Sequence, residues 1–168
     1  MKRVLICTLV ALSFGCHAEK KEDDRAEAYL RELRAGNPGM TNACLDRLRS
    51  GAISSADFLD NAECFEMMPS QRWTGLWNTG WEWTNFCPEP AKECDADSEH
   101  GGVWLTFAKG AYRGPDPLPD GVYRIDFVGR RTKMAGYFGH QGGYDHLMVV
   151  DRVLSIRAVP GEKYTRRF

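Results

Sequence analysis

Three groups of side chains in this 168-residue sequence have types and spacings that could do chemistry. The first lies in residues 72–87, RWTGLWNTGWEWTNFC, which hold Trp73, Trp77, Trp81 and Trp83, four of the five tryptophans. All four occupy odd positions, and alternate residues of an extended chain share a face. Such a stripe either walls a core or, where it turns outward, offers π faces on which sugars or bases stack. Trp73 and Trp77 are assigned to the core, while Trp81 and Trp83 are candidate ligand contacts. The second group is His140, Tyr144, Asp145 and His146 in a glycine-rich stretch. Imidazole and carboxylate groups could bind a metal ion or act as acid and base, with His140, Asp145 and His146 as the metal candidates. Two histidines six apart dictate no third ligand, so the competing reading is a turn-rich connection carrying solvated side chains. The third group is Arg124, Arg130, Arg131 and Lys133, either a site for an anion or partner or a solvated strand edge that discourages aggregation. No G-x-S-x-G, H-E-x-x-H or P-loop is present. No catalytic residue and no cofactor is therefore assigned.

The six cysteines speak to compartment. Lys2 and Arg3 precede an apolar run over residues 4–14, too short to span a bilayer, which predicts a targeting segment over residues 1–18. Two processing routes fit it. Cleavage could follow Ala18, or Cys16 could be lipidated, since Ser13-Phe14-Gly15-Cys16 resembles a bacterial lipobox. In a lipobox a leucine stands three before the cysteine, whereas Leu12 stands four before. Either route leaves Cys44, Cys64, Cys87 and Cys94, an even set that predicts two disulfides in an oxidising compartment. Of the three connectivities, Cys44–Cys64 with Cys87–Cys94 keeps each bridge local. Zinc is disfavoured because no C-x-x-C pair occurs. The expected location is the periplasm, free or anchored to the outer membrane as a lipoprotein.

The elements that must position these groups fall into two segments. Residues 19–70 read as helical. A charged first stretch carries Ala26, Tyr29, Leu30 and Leu33 at helical spacing and ends at Gly36-Asn37-Pro38-Gly39. A second helix, capped by Thr41 or Asn42, runs to about Arg49. A third, capped by Ser54 or Ser55, carries Phe58, Leu59, Ala62 and Phe65. A Cys44–Cys64 bridge would staple the last two into a hairpin packed on the C-terminal segment. That segment, residues 71–160, reads as a β-domain. Its strands are a long bent one through the tryptophans, one with Val103, Leu105 and Phe107 inward and Trp104 outward, one with Tyr123, Ile125 and Phe127 inward, and a last one. In the last, Met148, Val150, Leu154, Ile156 and Ala158 share a face, interrupted at Asp151-Arg152 by a bulge or corner. Residues 161–168 form a tail.

About five strands in that order resemble an OB-fold, a small barrel whose family binds oligosaccharides, oligonucleotides or proteins. Residues 129–156, GRRTKMAGYFGHQGGYDHLMVVDRVLSI, also resemble a segment of uncharacterised exported bacterial proteins, which implies an exported domain without an assigned activity. Gly75-Leu76-Trp77 matches the opening G-x-W of lipocalins, but the remaining length is too short for eight strands. The fold expected is α+β, a disulfide-stapled helical hairpin on a five-stranded OB-like barrel. A formal net charge of -1 disfavours nucleic acid as a partner. The function expected is non-enzymatic: an envelope module that binds a protein partner or a cell-wall glycan through Trp81, Trp83, Trp104, Arg124, Arg130 and Arg131. The alternatives are a periplasmic inhibitor or immunity protein, and a metal-dependent enzyme using the histidine stretch. Contact with a membrane is expected only through the lipid anchor.

Overall fold

The computed structural model describes residues 24–54, 57–80, 83–94, 102–114 and 119–160. The targeting segment with Cys16, Trp81 and the tail lie outside the described residues. The chain divides into two compact units between Gly36 and Asn37. In the first, helix α1 covers residues 24–36 and bears the sparse apolar stripe, with Tyr29 exposed. No helix of the described residues is long and apolar enough to cross a membrane.

The second unit begins with a short helix, α2 (Asn42–Arg49). Thr41 starts it from an extended conformation, its hydroxyl accepting the Cys44 N–H at 3.2 Å. Arg47 and Arg49 occupy the last turn, where cations oppose the helix dipole. The expected third helix does not form. In its place are two 3-10 turns, Phe58–Asp60 and Ala62–Cys64. Asn61 separates them: it is extended (φ -91°, ψ 97°), and its side chain accepts the Glu63 N–H at 3.1 Å, a local bond that competes with helix continuation. The chain then runs extended, with Phe65 bridged to Met40 and the Thr41 N–H donating to the Cys64 carbonyl at 2.9 Å. Cys44–Cys64, with an S–S distance of 2.08 Å, therefore staples one helix to a 3-10 turn rather than two helices to each other.

Five strands complete the unit: β1 (Gln71–Thr79), β2 (Thr84–Pro88), β3 (Val103–Phe107), β4 (Gly121–Arg131) and β5 (His146–Ala158). They form one sheet in the order β2-β1-β4-β5-β3, antiparallel except for the parallel pair β3 and β5. The two edge strands curl toward each other, and the Asn85 side chain of β2 accepts the Val103 N–H of β3 at 2.9 Å. The sheet is thereby a nearly closed barrel.

The single bent strand expected over residues 72–87 is instead a hairpin. β1 pairs with β2 from Gly75 opposite Pro88 to Thr79 opposite Thr84, and the Gly80 N–H donates to the Trp83 carbonyl at 3.0 Å. Gly75 pairs in unbroken register with Ile125 of β4 and Pro88 of β2. A β-carbon there would overlap the Cys87 carbonyl and crowd the Phe86 ring, so glycine admits the close approach of β2.

Alternation on β3 and β4 works as expected. Val103, Leu105, Tyr123, Ile125 and Phe127 are buried with Trp77, Phe86, Met148 and Val150 in the barrel core. β5 departs from the expectation at its second half. Against β4, Val128 pairs with Arg152 and Gly129 with Val150, which leaves Asp151 unopposed. A second irregularity skips Leu154, between the Asp126–Ser155 and Phe127–Val153 pairs. Each extra residue resets the inside–outside alternation. Val153 and Ile156 pack on the core, while Leu154 is 42% exposed and Ala158 is exposed, so neither shares the inner face.

Candidate functional site

Trp83 precedes β2, Trp104 sits near the start of β3, and the connection from β4 to β5 folds across both. That connection is held by a bridge between Phe138 and Tyr144, with N–H···O distances of 2.9 and 3.2 Å, and by the Asp145 N–H on the Gly102 carbonyl at 3.0 Å. Gly139 enables it twice over. Its φ is +65°, and a β-carbon on it would overlap the Trp104 indole. Tyr144 is thereby buried at the centre of an aromatic cluster, 5.1 Å from Trp104 and 6.4 Å from Trp83 between ring centroids. Its hydroxyl accepts the Thr84 N–H at 3.1 Å, which fixes it to the start of β2. His140 meets Trp83 edge-on at 5.4 Å and 68°. Trp83, Trp104 and His140 are half-buried, so the cluster presents a partly open aromatic face anchored from beneath.

The structure thus joins two groups that the sequence presents separately. Tyr144, one of the candidate acid–base groups, is buried as the packing centre of the cluster. His140 and His146 go different ways. The His146 Nδ1 lies 3.0 Å from the Thr132 hydroxyl, which also accepts the Leu147 N–H at 3.3 Å. Burial, and next the Arg131 charge, hold its pKa below the ordinary imidazole value, against the opposing pull of Asp145 and of a hydrogen bond to the Thr132 backbone. Asp145 is exposed. Among the described residues no three His, Cys, Asp or Glu side chains gather to hold a metal ion.

Trp73 and Trp77 serve the core. The Trp77 indole donates to the Thr84 hydroxyl, and the Trp73 indole donates to the Gly129 carbonyl at 3.1 Å. The basic residues are dispersed and engaged. Arg124 pairs with Glu89 at 3.2 Å, Arg130 grips Asp151 at 3.0 and 3.2 Å, and Lys133 meets Glu66 at 3.4 Å. The Arg131 guanidinium lies 5.9 Å from the Trp73 ring centre. Arg124 and Arg130 are separated by roughly 20 Å of strand β4.

The acidic loop after β2 is closed by Cys87–Cys94, with an S–S distance of 2.12 Å. The buried Asn78 amide donates to the Cys94 carbonyl at 2.8 Å and seats the loop on β1. No protein-family model matches the chain, and neither a curated protein nor a solved structure matches it.

Proposed function

We propose that the protein is a non-enzymatic binding module of the bacterial cell envelope, contacting a cell-wall glycan or a partner protein through its aromatic face. The observation that carries this reading is the half-open cluster of Trp83, Trp104 and His140 packed on the buried Tyr144. Indoles held rigidly at a surface can stack on a ring with little further loss of conformational freedom. The barrel is read as OB-like, supported by the strand order and the parallel pairing of β3 with β5. Export is supported by the Lys2-Arg3 and apolar opening together with two disulfides, which persist in oxidising compartments. The N-terminus of the mature chain is then Glu19 or a lipid-bearing Cys16, which intact mass of the native protein distinguishes.

The test is tryptophan fluorescence titration with soluble muropeptides and chito-oligosaccharides, run beside cross-linking in envelope extract. Trp104→Ala and Trp83→Ala should each weaken the ligand by about tenfold or more, as expected for one lost stacking contact, with the melting temperature showing that the barrel persists. Silence in both assays would defeat the reading.

A further inference from the structure

We propose a second site: a cleft between residues 110–114, which follow β3, and the bulged middle of β5 that binds a small anion of the carboxylate or phosphate class. It lies beyond the C-terminal end of β3, whereas Trp104 stands near the start of that strand, so it is independent of the aromatic face. The cleft holds about 410 Å³, walled by residues 110–114 on one side and 151–153 on the other. A volume of about 300–1,000 Å³ is usual for small-molecule sites.

Both walls are fixed by backbone bonds. The Ala108 N–H donates to the Val150 carbonyl at 2.9 Å and the Val153 N–H to the Ala111 carbonyl at 3.0 Å. Between those two anchor points β5 bulges at Asp151, which opens the concavity. Gly114 leaves room for the Tyr112 hydroxyl, because a β-carbon there would overlap it.

The electrostatics favour an anion. Asp151 is the acid in the cleft, and it is already committed: Arg130 contacts it at 3.0 and 3.2 Å, and the Ser70 hydroxyl donates to it at 2.9 Å. Arg72, Arg124 and Arg130 all have carboxylate partners, but among the described residues Arg113 and Arg152 have none. Both face the cleft, and Lys109 stands just before it. Two guanidinium-bearing residues lining one concavity suit the planar, paired oxygens of a carboxylate or the tetrahedral oxygens of a phosphate.

Amide NMR of the intact disulfide-bonded protein tests this, with inorganic phosphate, acetate and neutral glucose as probes. Saturable shifts confined to residues 110–114 and 151–153 are expected with phosphate, acetate or both; which of them responds separates phosphoryl from carboxylate ligands. Arg113→Gln with Arg152→Gln should weaken the responding anion by about tenfold or more. Both positions are exposed, so the fold should survive, and an unchanged amide spectrum elsewhere checks it. No saturable shift from either anion, equal shifts from glucose, or undiminished binding by the double variant would each overturn the proposal.

Discussion

The Asn85 side chain accepts the Val103 N–H at 2.9 Å, joining two strands, β2 and β3, that share no backbone ladder. Asn85 is 1% exposed and Val103 is buried, so this amide is the polar link that draws the open edges of the barrel together. Replacing Asn85 by Ala would strand a buried donor, at a cost of about 1–3 kcal/mol. The expected readout is a lower urea midpoint with an unchanged slope. A midpoint equal to that of the parent would mean that packing alone closes the seam.

The two disulfides should differ in what they contribute. Cys44–Cys64 spans 20 residues of sequence and Cys87–Cys94 spans 7. Loop-closure entropy in the unfolded chain then predicts about 3 kcal/mol for the first and about 2.5 kcal/mol for the second. Paired Cys→Ser variants compared by urea unfolding check the order. A larger loss from the shorter bridge would indicate that seating the loop beneath Asn78 matters more than chain entropy.

Strand identity was legible wherever alternation was unbroken, as in Val103, Leu105 and Phe107 or Tyr123, Ile125 and Phe127. Local pairing of the cysteines also followed from spacing. What escaped the sequence was non-local. The parity of the tryptophans fits a hairpin as well as one bent strand, and it is the pairing of Leu76 with Cys87 that decides. The helical spacing of Phe58, Ala62 and Phe65 was overridden by the Asn61 cap and by the bridge from Phe65 to Met40. Leu154 turned outward because a bulge adds one residue without changing composition. The cluster of Trp83, His140, Tyr144 and Trp104 assembles residues from three separate segments, and the close approach of Gly139 to Trp104 emerges only in the fold.

Asp126 should shape the acid limb of stability. The Arg72 guanidinium reaches it from β1 with two bonds, at 2.9 and 2.5 Å, and the Thr74 hydroxyl stands at 3.5 Å. The Arg72 hydrogen bonds above all, then its charge and Thr74, hold the Asp126 carboxyl below the usual range against the effect of burial. The unfolded chain therefore takes up this proton first. The contribution is complete above the unfolded value of about 4 and is lost as pH falls through the lower folded value. Melting temperature followed from pH 6 to pH 2 (about the span needed to cover both values) should fall less steeply in Asp126→Asn. Parallel acid limbs would show that the pair, with Arg72 largely in solvent, is too screened to matter.

His146 acts in a milder window with the same sign. Burial first and the Arg131 charge second lower its folded pKa, so between that value and the unfolded value of about 6.5 the unfolded chain binds more protons. Its contribution is full above about pH 6.5 and declines as pH falls through the folded pKa. His146→Asn keeps a polar group beside the Thr132 hydroxyl and cannot titrate, so its stability should be flatter across that window. Ring NMR titration assigns the cause directly. Arg131→Gln removes the like charge and should move the His146 pKa upward, whereas Asp145→Asn removes the opposing carboxylate and should move it further down. If neither variant moves the midpoint, desolvation against Thr132 and Leu147 alone sets it, and the two neighbouring charges are screened by water.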